Sequence, residues 1–279
     1  MLHGAPSSPM PSIATVARAR EAYGRRDAAE LARVMLAATW PSSLSLLDDI
    51  GAPRGARVLE IGCGTGESTQ LLAAWAGPDT RVVGVDRNAE SIEIARSAGK
   101  DARVEYRVLD IEREAPAWIE TYDLVTVRFV LSRLKMREAA LRHVLPGLKR
   151  GGTIVVEDID ARGHFCHPPC DAFDRYVEIY QALARRRGAD ACVGPRLRGA
   201  LAGAGVHDVQ LRVALPTFAD GDGKRLAVLA LTAIRDAVVA AELASASEVD
   251  GLIAEIDAYT RDDGSILSLP RIFQVWGRK

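Results

Sequence analysis

The sequence predicts an α/β fold built on a doubly wound, mainly parallel sheet, and three observations carry that expectation. Apolar runs of four to six residues alternate with amphipathic stretches through the first two-thirds of the chain. One such run, 58–61, ends in an acid and passes straight into glycines at 62, 64 and 66. Acids also close the next two runs, as Asp86 and Asp110.

Strands are expected at 57–61, 82–85, 104–109, 124–127 and 153–159, because continuous short runs of Val, Ile and Leu suit strands buried on both faces. The amphipathic stretches between them predict crossover helices at 68–76, 89–98 and 136–148, with a short helix or turn at 116–120. Beyond Ile159 the rhythm changes. A loop with Gly163, Pro168 and Pro169 leads to helices at 171–187 and 195–204, with Gly203 and Gly205 marking the second end. A strand follows at 208–214, and the last strand at 271–276. Between them lies a helical stretch at 224–260, broken near Ser245 and Ser247, where Ser247 and Asp250 have the spacing of a capping box. An additional helical segment is expected at 13–38, after a proline-bearing arm at 1–12 that lacks the basic and apolar regions of a secretory signal.

The 279 residues suffice for one elaborated domain. Lys and Arg number 36 against 37 Asp and Glu, so no global field gathers phosphates or an anionic membrane, and the expectation is no nucleic-acid partner. The run Arg185, Arg186, Arg187 reads as the solvated end of a helix near Gly188. No stretch approaches the ~20 consecutive apolar residues that span a bilayer. Four cysteines, Cys63, Cys166, Cys170 and Cys192, form no disulfide framework for a chain of this size, which fits a reducing cytoplasm.

The glycine loop carries the chemistry. Without Cβ atoms its backbone can take left-handed dihedrals and let a ligand lie against the main chain, beside the free N–H groups of the next helix. Asp86 stands about 20 residues past the loop, where a carboxylate can accept both hydroxyls of a ribose. Asp110 can accept from an adenine amino group while Ile111 covers the ring. Taken singly, Asp86 is also placed to cap the helix near Ala89, and Asp110 to cap a turn. The third glycine lies two positions after the second, where a dinucleotide site needs three, and Glu60 would repel a pyrophosphate but suit an ammonium. The ligand expected is a nucleoside joined to an amino acid.

Residues Glu60 to Gly66, Asp86, Asp110 and the strand around Tyr122, Asp123, Leu124 and Val125 resemble the successive motifs of class I S-adenosylmethionine-dependent methyltransferases. The resemblance implies a Rossmann-like, doubly wound seven-stranded sheet with its last strand antiparallel and helical lid additions. It implies S-adenosylmethionine as cofactor, with Glu60, Gly62, Gly64 and Gly66 near the methionine moiety, Asp86 with Arg87 at the ribose and Asp110 with Ile111 at the adenine. The segment 128–131, starting at Arg128, resembles the family's methionine-facing wall. Two departures stand out: Arg150, Gly151 and Gly152 replace the usual Pro-Gly-Gly turn, and Arg133 replaces a histidine often found after the fourth strand.

The domain expectation is an arm and helical lid segment at 1–45, then a methyltransferase domain at 46–279 with a helical insertion at about 224–262. The function expected is methyl transfer by in-line displacement to a small-molecule acceptor, in a monomer or homodimer. The acceptor atom, carbon, nitrogen or oxygen, stays open. A regulatory protein that binds the cofactor without transfer, and a nicotinamide oxidoreductase, are the alternatives. His164, His167 and Asp158 are the catalytic candidates, and Tyr23, Trp40, Asp158 and His164 the acceptor-binding ones. Tyr23 and Trp40 are aromatic faces suited to a sulfonium, or simply to packing. Glu157 and Asp158 must point to opposite faces of their strand. His164, Cys166, His167 and Cys170 do not match paired zinc-ligand spacing, and no metal is expected.

Overall fold

Short apolar runs become the middle of a parallel sheet because helices cover both of its faces. The computed structural model describes residues 25–98 and 101–279. Numbered along the chain, its strands are β1 (Arg57–Ile61), β2 (Arg81–Asp86), β3 (Val104–Val108), β4 (Tyr122–Arg128), β5 (Leu148–Asp160), β6 (Cys166–His167), β7 (His207–Ala214), β8 (Thr217–Phe218), β9 (Ile266–Ser268) and β10 (Arg271–Arg278). Seven of them form one sheet in the order β3-β2-β1-β4-β5-β10-β7, in which β10 runs antiparallel to both of its neighbours. The remaining three make a small antiparallel sheet, β6-β9-β8. The expected seven-stranded sheet with an antiparallel last strand is therefore present.

The helices are α1 (Arg25–Ile50), α2 (Glu67–Ala76), α3 (Ala89–Ala98), α4 (Arg137–Val144), α5 (Asp171–Arg186), α6 (Leu197–Gly203), α7 (Gly221–Lys224), α8 (Leu226–Ala240) and α9 (Ala246–Thr260). Strand alternation sorts the core into two layers. Val58, Val82, Leu124 and Val155 face Leu46 and Leu47 of α1 and Leu72 and Ala73 of α2. Leu59, Val83, Val125 and Ile154 face the other way, onto Leu141 and Val144 of α4 and Leu197 and Leu201 of α6. The strands at the sheet's two edges, β3 and β7, are the more exposed ones.

A separate core holds the helical cap. Phe173, Ile179 and Leu183 of α5 pack with Leu231 of α8 and with Val249 and Ile256 of α9. Helix α1 spans cap and sheet: Val34 meets Leu226, Leu229 and Leu269, whereas Leu46 and Leu47, beyond the internal Pro41, lie under the sheet. The expected boundary at residue 45 thus falls inside one helix. Residues 13–24, including Tyr23, lie outside the described residues.

Several expectations need correction. Residues 116–120 form no helix, and Glu120 takes a positive φ of 43° where the chain turns into β4. The helix expected at 136–148 stops at Val144. A 3-10 turn at Leu145–Gly147 follows, since Pro146 has no N–H to donate, and Leu148 already pairs with Tyr122 in the sheet. Strand β5 begins at Leu148 rather than 153, and Gly151, at φ 74°, sits in the register shift between Tyr122 and Leu124. The helix expected from 195 begins at Leu197, after a 3-10 turn at Gly194–Arg196. Ser245, not Ser247, caps α9 by accepting from Glu248 N–H at 3.1 Å.

Candidate cofactor site and acceptor face

The strand order reverses between β1 and β4, so a crevice opens at their C-terminal ends. Glu60, one residue before the end of β1, is buried, accepts from the Thr69 hydroxyl of α2 at 2.6 Å and lies in the field of Arg128. Burial pushes its carboxyl above the usual range, and the hydrogen bonds and that cation oppose the push.

The loop after β1 separates two uses of glycine. A Cβ on Gly66 would lie 2.5 Å from the Tyr106 hydroxyl, which donates to the Gly66 carbonyl at 3.1 Å. Gly66 is thus held by its back side. Gly64 also has a positive φ, 55°, but a Cβ there would meet no atom of the described residues within 4 Å. Its front is open, and its N–H donates to Asp86 Oδ2 at 3.1 Å. Gly62 lies against Val130, and Cys63 is buried beneath the loop with its thiol pushed up by burial.

Asp86 also accepts from Asn88 N–H at 2.8 Å, while α3 takes its cap from Asn88, whose side chain accepts from Ser91 N–H at 3.0 Å. Asp86 is therefore not the helix cap. Asp110 accepts from Glu112 N–H at 3.1 Å in a turn, beside buried Ile111. Glu112 ties these loops together: it accepts from Lys135 and Met136 N–H at 2.7 and 2.8 Å and faces Arg87 at 3.6 Å. Glu60 and Asp86 lie at the C-terminal ends of β1 and β2, with Gly64 and Asp110 in the loops just beyond β1 and β3, which is the arrangement a nucleoside with an amino-acid tail requires.

On the other side of the crevice, Arg128 donates to the Thr39 hydroxyl at 2.9 Å and lies over the rings of Trp40, at 5.8 Å, and Phe129, at 5.1 Å. The Trp40 face, expected from the sequence to suit a sulfonium, already carries a guanidinium. Glu157 and Asp158 do point oppositely. Glu157 accepts from Ser43 of α1 at 3.0 Å and from Gln274. Asp158 is fully buried and accepts from Ser132 N–H at 2.8 Å and Ile159 N–H at 2.9 Å. Burial raises its pKa. Asp158 supports the turn after β4 rather than facing open space.

His164 is half-buried, with Nδ1 against the Ala161 carbonyl at 3.1 Å and its ring edge-on to Phe173. Burial lowers its pKa to about 4, so it is neutral near pH 7. His167 is exposed, on the small sheet opposite Ile266, and is not brought to the crevice. Among the described residues, no group of three or more His, Cys, Asp or Glu is placed to hold a metal ion. Thr39, Thr69, Tyr106 and Glu112 were not predicted from the sequence. Thr69 alone had a local signal, one turn into the helix that the glycine loop opens.

Residues 53–193 match the family described as Methyltransferase domain, which covers half of the chain. The chain belongs to the class I S-adenosylmethionine-dependent methyltransferases, whose cofactor is S-adenosylmethionine. It is similar to the ubiquinone/menaquinone biosynthesis C-methyltransferase UbiE of Ectopseudomonas mendocina, 33% identical over 117 residues, spanning 41% of this chain and 46% of that protein. It is also similar to phosphoethanolamine N-methyltransferase 1 of Triticum aestivum, 27% identical over 165 residues, or 58% of this chain and 30% of that one. The chain thus spans less than half the length of these relatives. The YcgJ protein of Bacillus subtilis has the same fold, with a TM-score of 0.57 at 17% identity over 85% of this chain and 98% of that one.

Proposed function

We propose that this protein transfers the methyl group of S-adenosylmethionine to a small-molecule acceptor held between the sheet edge and the helical cap. The observation that carries the reading is the open front of Gly64, flanked by Glu60 and Asp86 on adjacent strands. These residues fit the cofactor. Asp86 would accept from the ribose hydroxyls with Arg87 beside it, Asp110 and Ile111 would hold the adenine, and Glu60 with Gly62, Gly64 and Gly66 would take the methionine end, next to Arg128. The UbiE and phosphoethanolamine methyltransferase relatives support a small-molecule acceptor.

The cofactor supplies an activated methyl group on a sulfonium that departs as a neutral thioether. The chain's own task is alignment. Effective molarities of aligned reactants account for about 7–11 kcal/mol of a barrier, which exceeds the ~10²–10⁴-fold contribution of a general base. Thr39 fixes Arg128, Asp158 fixes the turn carrying Ser132, and α1 joins cap to sheet, so the wall around the acceptor is held from three sides. His164, neutral near pH 7, offers Nε2 as a hydrogen-bond acceptor. No helix among the described residues is long and apolar enough to cross a membrane, which supports a cytoplasmic setting. The formal charge of -1 supports a partner other than nucleic acid.

The test is to incubate the protein with methyl-labelled cofactor and a panel of small molecules, with and without EDTA. Label should move to an acceptor at the same rate in both. Cofactor binding without label transfer to any acceptor would favour the regulatory alternative, and loss of transfer in EDTA would overturn the metal-free chemistry.

A further inference from the structure

The aromatic face of α5 lies apart from the cofactor residues and has no role in holding them. Phe173, Tyr176 and Tyr180 fall on one side of the helix by their spacing. The Tyr176 ring is 5.9 Å from Phe173 and 6.2 Å from Tyr180, and His164 stands 5.7 Å from Phe173 and 6.2 Å from Tyr176. Tyr176 is 4% exposed, yet its hydroxyl has no hydrogen-bond partner among the described residues. Tyr180 and His164 Nε2 lack one too. The sealed, unpartnered side-chain atoms among the described residues are Arg212 Nη2 and Arg271 Nε, so the Tyr176 hydroxyl still borders accessible space. Buried polar groups in that position call for a partner.

The row runs between two sheet ends. His164 follows the end of β5, and at the other end Asp190 N–H donates to the Ser132 carbonyl at 2.8 Å, seating the loop after α5 on the turn that follows β4. That turn carries Arg133, which is exposed and forms no ion pair among the described residues. Asp158, in its field, has both carboxylate oxygens engaged by backbone N–H groups. Arg133 acts electrostatically on the Tyr180 hydroxyl.

Resting on the methyltransferase reading, we propose that the row of His164, Tyr176 and Tyr180, with Arg133 at its far end, is the acceptor wall, and that it takes a planar aromatic acceptor bearing a hydroxyl at one end and an anionic oxygen at the other. Each end has its reason. With Nδ1–H donated to the Ala161 carbonyl, His164 Nε2 keeps a lone pair for a hydroxyl proton. The flat rings offer offset or edge contacts to another ring. The Arg133 fork pairs with a carboxylate or phenolate.

The probe is 6-hydroxy-2-naphthoate, titrated by saturation-transfer NMR into protein saturated with S-adenosylhomocysteine and, in parallel, into cofactor-free protein. It should bind more tightly than cyclohexanecarboxylate by about tenfold or more, and Arg133→Gln should weaken it by about tenfold. Tyr176→Phe and Tyr180→Phe, which remove only an oxygen, should each weaken it about threefold or more, with S-adenosylhomocysteine affinity unchanged within about twofold. Equal affinity for the two carboxylates, or for the parent and Arg133→Gln, would overturn the wall. Because the same ranking is expected without cofactor, failure to bind S-adenosylhomocysteine overturns the methyltransferase reading alone, and loss of the ranking overturns the wall alone.

Discussion

Arg128, at the end of β4, donates a hydrogen bond to the Thr39 hydroxyl of α1 across 2.9 Å, and so joins the crevice to the helix that also carries the cap. The same guanidinium lies in the field of Glu60. One side chain therefore lies in the field of a buried carboxylate and ties β4 to α1.

Replacing Thr39 by Val keeps the shape and removes that acceptor. A hydrogen bond to a charged donor contributes about 1.5–3 kcal/mol, so the variant should lose tenfold or more in methyl transfer, with a smaller change in cofactor affinity. Separate titration and turnover measurements on the variant distinguish the two. An unchanged rate would show that α1 needs no tie to β4.

The two glycines 64 and 66 should fail differently. Gly66→Ala meets the Tyr106 hydroxyl and an unfavourable φ of 92°, so thermal denaturation should show a loss of about 1–3 kcal/mol. Gly64→Ala meets strain alone, with space in front of it, and its penalty should fall more on cofactor affinity than on stability. Equal loss of stability in both variants would mean that Gly64 has no open front.

The histidine sets an acid limb. With its pKa lowered to about 4 in the folded protein from an ordinary 6.5, neutral His164 contributes stability that is fully present above pH 6.5 and lost as pH falls toward 4. Urea denaturation at pH 7.0, 5.5 and 4.5 should show the parent losing up to about 3 kcal/mol that His164→Gln does not lose. Buried Glu60 and Asp158 have raised values and act with the opposite sign, and they cancel in the comparison because both proteins carry them. Parallel loss in the two proteins would place His164 in water.

The sheet was legible because its strands are continuous apolar runs: β1 falls on 57–61 as expected, and β2 and β4 exceed the expected ranges by one or two residues at each end. The acids Glu60 and Asp86 were legible for the same reason, since each ends a buried apolar run, whereas Asp110 lies in the turn two residues past the exposed end of β3. What stayed hidden depends on partners far along the chain. Thr39 meets Arg128 from 89 positions away and Tyr106 fills the back of Gly66 from 40 away, and no local pattern announces either contact. Tyr176 and Tyr180 look like any amphipathic helix face until their hydroxyls prove to have no hydrogen-bond partner among the described residues. Asp158 reads as a strand-end acid and turns out to be buried support for the turn at Ser132.

Calorimetric titration of S-adenosylhomocysteine into the parent and into Asp86→Ala tests the central claim most directly, with NAD as the control ligand. The parent should bind one equivalent and give no heat with NAD. Asp86→Ala should bind more weakly by about 1–3 kcal/mol, roughly 5- to 150-fold, because a half-buried acceptor to two hydroxyls is gone. An absence of heat with S-adenosylhomocysteine, or an Asp86→Ala variant that binds as the parent does, would contradict the assignment of this crevice as the cofactor site.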